Sequence, residues 1–286
     1  METDNTTPCT ETNSELIEAV LSGQTESVKA LLATGADINT KGENSRSALA
    51  FASQEGYTDI VNILLDNGAS DESRDNDYGR TPLWLAAAKG QTDVVRALVS
   101  AGADVNTQRN DGISALGIAS VEGYTEVAKM LLDSGARIEN GDNCGRTPLF
   151  FAASKGRIDV VRALVSAGAD VNTQSNDGWS ALGSASREGH VDVVNLLLDK
   201  GSQIESGDTD YGRTPLFFAA AKGQTDVVRA LVSAGADVNT QRNDSRSALS
   251  IASEEGHTEV AKMLLDNGAQ IGHTPLFSLQ PMETLK

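Results

Sequence analysis

The chain has 286 residues, 39% of them hydrophobic, and a formal net charge of -17 at pH 7. Its hydrophobic content can build a folded core, but no apolar run approaches the roughly 20 residues of a membrane-spanning helix, so no membrane span is expected. The negative charge repels nucleic-acid phosphates and anionic lipids, which disfavours both nucleic acid and membrane as general partners.

The amino terminus, METDNTTPCTET, is polar and lacks the basic and apolar segments of a secretory signal or a transit peptide. We therefore predict a disordered tail over residues 1–13 and a cytoplasmic protein, with the nucleus as the alternative compartment. The two cysteines, Cys9 and Cys144, are isolated in sequence and make no disulfide framework.

Downstream of this tail the sequence repeats itself. The stretch GRTPLFFAA occurs twice and alternates with stretches such as SALGIAS, at a spacing of 33 or 34 residues. A period of this length predicts repeats that stack on their neighbours rather than one central core. The predicted array covers residues 14–276, and its eight repeats begin near Ser14, Ser47, Thr81, Ser114, Thr147, Ser180, Thr214 and Ser247. A truncated ninth repeat is predicted at Thr274, followed by a frayed tail over residues 277–286.

Each repeat contains two short helical patterns, which the repeat starting at Gly212 illustrates. Thr214 can cap the first helix with its hydroxyl, and the proline after it fits the first helical turn. Thr225 and Asp226 are predicted to open the second helix, where an oxygen acceptor and a negative charge suit the exposed N–H groups. Gly235 suits a left-handed cap at the end of that helix.

Neither helix is expected to be stable alone. Isolated helices of about ten residues are marginal in water, so each repeat needs its neighbours to bury its apolar face. The linkers between repeats, for example NTQRND, are polar and rich in turn-forming residues. We predict that they project as hairpin-like fingers.

These residues resemble the ankyrin repeat, whose T-P-L start and period of 33 residues the chain shares. T-P-L begins at Thr81, Thr147, Thr214 and Thr274, and G-A-D-V-N begins at Gly102, Gly168 and Gly235. The resemblance covers nearly the whole chain. It implies an all-α repeat solenoid of stacked helix-turn-helix repeats with projecting β-hairpin-like fingers.

The chain departs from the ankyrin pattern at the position after T-P-L, where the family has histidine. Large and small residues alternate there instead: Ile17, Ala50, Trp84, Gly117, Phe150, Gly183, Phe217, Ser250 and Phe277. We interpret this row as packing, in which an aromatic of one repeat fills the space beside Gly or Ser of the next. A cofactor-binding aromatic row is the alternative interpretation.

In ankyrin proteins the fingers and the inner face of the first helices bind other proteins, so the resemblance implies a protein partner. On that face this chain carries arginine and aromatic residues, the types enriched at binding hot spots. The predicted protein-binding residues are Tyr78, Arg80, Ile113, Arg146, Trp179, Tyr211, Arg213 and Arg246. The alternative for each arginine is that it stacks on its own finger and neutralises a nearby carboxylate. Trp179 lies in the polar turn NDGWS, where the sequence shows no apolar pattern that would bury it.

Two long stretches, residues 80–110 and 213–243, differ at only two positions. A partner with repeated motifs could engage both stretches and gain avidity. Recent duplication explains their identity without any such partner, and we favour it.

An enzyme would need a catalytic constellation, and the sequence shows none. The three histidines lie apart from the cysteines and from metal-ligand spacings, and no phosphate-binding loop motif occurs. DNDYG and DTDYG share acids with calcium loops but lack the complete motif, so we interpret them as turns. We therefore predict a non-enzymatic protein with no catalytic, cofactor or metal site.

The expected function is that of a monomeric scaffold or adaptor that binds another protein. Two alternatives stay open at this point. The protein could be an inhibitor that occludes a partner's active surface, or a non-catalytic subunit of a larger complex.

Asn106, Asn172 and Asn239 each follow the pattern L-x5-D-V. They are similar to the finger asparagines that asparaginyl hydroxylases modify in ankyrin proteins, and that resemblance predicts them as hydroxylation sites. The alternative, which we prefer, is a structural role in turning the chain.

Overall fold

The structure, a computed structural model, describes residues 7–271. The chain divides after Asn176 into two compact parts, which we call the amino-terminal block and the carboxyl-terminal block. Helices are the regular elements of both described parts, and none of these helices is long and apolar enough to span a membrane.

The helices follow one another in pairs along the chain. Those of the amino-terminal block are α1 Thr7–Leu21, α2 Thr25–Ala33, α3 Ala48–Glu55, α4 Thr58–Asp66, α5 Pro82–Ala88, α6 Thr92–Ser100, α7 Ala115–Glu122, α8 Thr125–Asp133, α9 Pro148–Ser154 and α10 Ile158–Ser166. Those of the carboxyl-terminal block are α11 Ala181–Glu188, α12 Val191–Asp199, α13 Pro215–Ala221, α14 Thr225–Ser233, α15 Ala248–Glu254 and α16 Thr258–Asp266. This arrangement confirms the all-helical repeat fold predicted from the sequence.

Within each block the repeats stack on their neighbours in two layers. The first helices form one layer, since α5 packs on α3 and α7, and α13 packs on α11 and α15. The second helices form the other layer, in which α6 lies between α4 and α8, and α14 between α12 and α16. Each helix from α3 to α12 contributes a fully or almost fully buried leucine to the core: Leu49, Leu64, Leu83, Leu98, Leu116, Leu131, Leu149 and Leu164, then Leu182 and Leu197. Each contributes about 1.5–3 kcal/mol by leaving water.

The predicted helix caps are confirmed for the first helices. The Thr214 hydroxyl accepts the Phe217 N–H at 3.3 Å, and Pro215 occupies the first helical position. Gly235 follows α14 with φ +95°, as a left-handed cap requires. The second helix does begin at Thr225, but its cap position is Gln224, which makes no side-chain capping bond. The predicted hydroxyl cap at Thr225 is therefore wrong.

The amino terminus also differs from its prediction. Helix α1 begins at Thr7, so residues 7–13 are helical where the sequence predicts a disordered tail. A proline at the second position of this helix fits the first turn, because its missing N–H would have no partner there. Residues 1–6, the predicted ninth repeat at Thr274 and the predicted tail 277–286 lie outside the described residues.

The fingers between repeats are joined to one another by main-chain hydrogen bonds. In the amino-terminal block the N–H groups of Asn110, Asn143 and Asn176 donate to carbonyls of the preceding finger at 2.8–3.0 Å. In the carboxyl-terminal block Thr209 and Asn243 donate in the same way. Single antiparallel bridges close three of the linkers. The β-hairpin-like shape of the fingers stays a prediction, since the described residues form no extended strand.

This contact between fingers leaves no room for a side chain at Gly112. A Cβ atom added there would lie 2.7 Å from the main-chain nitrogen of Asn143, and Gly112 has φ +87°. Gly135 has nearly the same φ, +88°, but open space around it. An alanine at Gly135 would therefore meet only the strain of the left-handed backbone. An alanine at Gly112 would meet the same strain and a collision with Asn143 as well.

We expect Gly112→Ala to lower the free energy of unfolding by about 2–4 kcal/mol, because it adds a backbone collision to the left-handed strain. Gly135→Ala should cost about 1–2 kcal/mol, from the strain alone. Urea denaturation followed by circular dichroism measures both. Equal losses in the two variants would show that the finger contact does not constrain Gly112.

Candidate protein-binding surface

In the described part of the chain, the T-P-L repeats that begin at Thr81, Thr147 and Thr214 each hold their finger around one buried aspartate. In the carboxyl-terminal block the Asp208 carboxylate accepts the main-chain N–H groups of Tyr211 at 3.1 Å and Arg213 at 2.8 Å. It also accepts the Nε–H of Arg213 at 2.6 Å. The side chain of Asp208 is 1% exposed. Because a buried carboxylate needs donors in place of water, this one fixes the loop and the arginine together.

The amino-terminal block repeats this arrangement twice. Asp75 accepts the N–H groups of Tyr78 and Arg80 and the Nε–H of Arg80, at 3.1, 2.9 and 2.6 Å. Asp142 accepts the Arg146 N–H and Nε–H, each at 2.9 Å. Sequence reasoning missed the role of these aspartates. Their signal is an acid four or five residues before the arginine of G-R-T-P-L.

The same contacts decide how Asp75 and Asp208 titrate. Burial by itself raises the pKa of each carboxyl, but the hydrogen bonds from Arg80 and Tyr78, or from Arg213 and Tyr211, together outweigh it. The pKa of each carboxyl therefore lies below its ordinary value of 3.8. A carboxyl with a lowered pKa in the folded state stabilises the fold above its ordinary pKa, and that contribution is lost as the pH falls further.

The two finger tyrosines lie exposed between arginines. Tyr78 is 55% exposed, with the guanidinium carbon of Arg80 5.1 Å and that of Arg109 5.7 Å from its ring centre. In the carboxyl-terminal block Tyr211 is 47% exposed, and Arg213 and Arg242 lie 4.9 and 4.8 Å from its ring centre. We call each such trio, a tyrosine with its two arginines, a Tyr–Arg cluster. Four of the predicted protein-binding residues thus lie in the clusters as two equivalent pairs: Tyr78 with Arg80, and Tyr211 with Arg213.

Trp179 packs against its own block. Its ring stacks on Phe218 with centroids 4.1 Å apart and an interplanar angle of 27°. The guanidinium carbons of Arg187 and Arg213 each lie 5.8 Å from the indole. The half-buried indole thus has an apolar partner in the next repeat. The sequence around Trp179 does not show this partner, because Phe218 lies 39 residues further along the chain.

The remaining predicted residues have different environments. Ile113 is only 9% exposed, so its side chain belongs to the core more than to the surface. Its main-chain carbonyl accepts the indole N–H of Trp84 at 3.1 Å. Arg146 stacks over Phe151 at 5.3 Å. Arg246 forms an ion pair with Glu254 at 2.7 Å, and both side chains are partly exposed. These arginines follow the alternative interpretation, in which each neutralises a nearby carboxylate.

The large and small residues that alternate at the position after T-P-L do not pack as predicted. A Cβ atom added to Gly117 would meet Phe151, and one added to Gly183 would meet Phe218 at 3.8 Å. The aromatic beside each glycine is therefore the second phenylalanine of T-P-L-F-F, which lies outside the row. Trp84 and Phe217 of the row are themselves buried. Their burial supports the packing interpretation of these two residues.

Two of the three predicted hydroxylation sites, Asn106 and Asn239, hold neighbouring repeats together. The Asn106 side chain accepts the Arg137 N–H at 2.8 Å and donates to the Gly135 carbonyl at 3.3 Å. Asn239 makes the equivalent bonds to residues 270 and 268. The Asn172 N–H donates to Asp170 within its own finger at 2.9 Å. The geometry supports the structural interpretation of these asparagines. Their hydroxylation stays a prediction.

In the intervening repeats, glutamate side chains accept hydrogen bonds from the next repeat. Sequence reasoning also missed this role. The Glu72 carboxylate accepts the Asp104 N–H at 3.0 Å and the Thr107 hydroxyl at 3.2 Å. Glu205 makes the equivalent pair of bonds in the carboxyl-terminal block. A side-chain clamp therefore joins successive repeats, with asparagine and glutamate in alternation.

We expect Asp208→Asn to lower the free energy of unfolding at pH 7 by about 1.5–3 kcal/mol, because the charged acceptor of three hydrogen bonds is lost. The difference from the wild type should shrink as the pH falls below 3.8, because the unfolded chain then binds a proton that the folded carboxyl takes up only at lower pH. Urea denaturation between pH 3 and pH 7 measures both effects. Asp226→Asn, which changes an exposed acid on α14 of the same block, is the control, and an equal loss there would refute the role of the buried carboxylate.

The sequence matches the family model for ankyrin repeats (3 copies) over residues 16–109, 75–142, 116–210 and 204–275. Protein phosphatase 1 regulatory subunit 27 from Mus musculus and from Homo sapiens are similar proteins, each 45% identical over 67 residues. The match covers 23% of this chain and 43% of each relative, so the chain spans less than half the length of these relatives. The family model, in contrast, accounts for the array from residue 16 to residue 275. The chain therefore belongs to the ankyrin repeat family.

Proposed function

We propose that this protein is a non-enzymatic protein–protein interaction module, a scaffold or adaptor that binds its partner through the finger tips and the adjoining ends of the first helices. The ankyrin repeats support a protein partner in general. The observation that carries the finer proposal is the pair of Tyr–Arg clusters, one in each block.

The clusters have the chemistry of a binding hot spot. Tyrosine and arginine are enriched at such positions, and here about half of each tyrosine side chain is open to solvent. Asp75 and Asp208 already fix the flanking Arg80 and Arg213, so a partner that docks there orders few additional side chains. A preorganised surface loses less conformational entropy on binding, which favours affinity.

A regulatory role is the second candidate. The relatives reported above carry the name of regulatory subunits of protein phosphatase 1, which favours a chain that controls another protein. A partner covered by this surface would be regulated through occlusion of its active surface or through assembly into a larger complex. We further propose that the protein is monomeric and acts in the cytoplasm or nucleus.

We expect the double variant Tyr78→Ala and Tyr211→Ala to lose the main partner in affinity capture from native lysate with mass spectrometry. Truncation of hot-spot residues typically costs 2 kcal/mol or more each, which corresponds to at least about 30-fold weaker binding. Circular dichroism should show unchanged folding, because both side chains are exposed.

The matched control is Arg96→Ala with Arg229→Ala, which alters exposed positions on the second helices of the same two repeats. This control should capture the same partner as the wild type. Loss of the partner from the control alone would place the binding surface on the second helices and contradict the proposal.

A further inference from the structure

The carboxyl-terminal block contains an open depression of about 330 Å³ beside helices α11 and α13. Three aromatic and three cationic side chains line it: Trp179, Phe217, Phe218, Arg187, Arg213 and Lys222. The stacked rings of Trp179 and Phe218 supply an apolar wall, and two guanidinium groups lie 5.8 Å from the indole. The depression therefore combines apolar contact with positive charge.

The three cations differ in how firmly they are held. Arg213 is tied to the buried Asp208. Arg187 pairs with Glu188 at 3.0 Å, but both side chains are 45% exposed, and such surface pairs contribute only about 0–1 kcal/mol. Lys222 is exposed, and in the described part of the chain no carboxylate lies within 4.0 Å of its ammonium. Arg187 and Lys222 are thus available to an incoming anion.

This combination occurs in one repeat of the array. At the position of Trp179 the other Ser-Ala-Leu repeats carry Arg46, Ile113 and Arg246. At the position of Arg187 they carry Gln54, Val121 and Glu254. The depression is therefore a particular property of this repeat and not a consequence of the ankyrin fold.

We propose that the depression docks an acidic peptide segment of the partner protein. An apolar side chain of that segment packs on Trp179 and Phe218, and its carboxylates pair with Arg187 and Lys222. This inference rests on the proposed function and names the chemistry of the partner. On a chain with a net charge of -17, a local cationic site selects an acidic segment by charge complementarity and repels basic ones.

Fluorescence anisotropy with labelled synthetic peptides tests this proposal. The probe is the octapeptide Glu-Asp-Glu-Leu-Phe-Glu-Asp-Glu, compared with a version in which lysine replaces every acid and a version in which serine replaces Leu-Phe. We expect the full-length protein to bind the acidic peptide, to bind the serine version at least about tenfold more weakly, and not to bind the lysine version. Raising the salt concentration should weaken binding of the acidic peptide, since its ion pairs are exposed.

Charge reversal supplies the site-specific comparison. Arg187→Glu with Lys222→Glu should weaken binding of the acidic peptide by at least about tenfold, because two attractive pairs become repulsive. The control, Lys89→Glu with Lys155→Glu, makes the same change in net charge at exposed positions of the amino-terminal block. It should leave the affinity within about twofold of the wild type, because the altered charges lie outside the depression.

Three results would overturn the inference: no binding of the acidic peptide, equal binding of the lysine version, or equal losses in the two charge-reversed proteins. Equal binding of the serine version would leave an anion site without an apolar anchor and would overturn the peptide geometry. Affinity capture with the tyrosine variants tests the proposed function independently of the peptide experiment. If affinity capture still depends on Tyr78 and Tyr211 while the acidic peptide does not bind, the protein-binding role stands and only the acidic partner is rejected.

Discussion

A buried carboxylate bound to both main chain and arginine is the interaction on which the finger structure depends. Asp208 illustrates it, because the carboxylate that accepts the Tyr211 and Arg213 N–H groups also holds the Arg213 side chain. Burial of the acid would be costly without all of these donors, so the loop and the arginine order together. The tyrosine then lies against a fixed cation. The position of the exposed arginine and tyrosine thus depends on the hydrogen bonds that the buried aspartate needs.

The Ser-Ala-Leu repeats complete this arrangement. The fingers before Ser114 and Ser247 each carry an arginine paired with an aspartate two residues further on: Arg109 with Asp111, and Arg242 with Asp244. Each of these arginines reaches back over the tyrosine of the preceding finger. At these two places a T-P-L repeat and the following Ser-Ala-Leu repeat together build one Tyr–Arg cluster. The near-identical stretches 80–110 and 213–243 supply the two arginines of each cluster, and the tyrosine lies two residues before each stretch.

The sequence predicts the repeats, the helix pairs and the caps of the first helices, because these depend on local chemistry such as Thr214 followed by proline. It does not identify Asp208, since several acids share that loop and only tertiary structure shows which one is buried. Packing of Trp179 on Phe218 was missed for the same reason, because the two rings belong to different repeats. The residue types of the binding face were recognised, but Ile113 was assigned to it on position alone and lies largely in the core. Periodicity locates a position in the repeat, whereas burial depends on what the neighbouring repeat places beside it.

The central claim is that a buried aspartate holds the finger arginine rigidly before any partner binds. Hydrogen exchange of the Arg213 Nε–H, followed by nitrogen-15 NMR at neutral pH, tests it most directly. Arg229 is the internal reference, because its ion pair with Asp226 is exposed. The account predicts that the Arg213 Nε–H exchanges at least about tenfold more slowly than that of Arg229, and that Asp208→Asn removes the difference. Equal exchange at the two arginines in the wild-type protein would contradict the account.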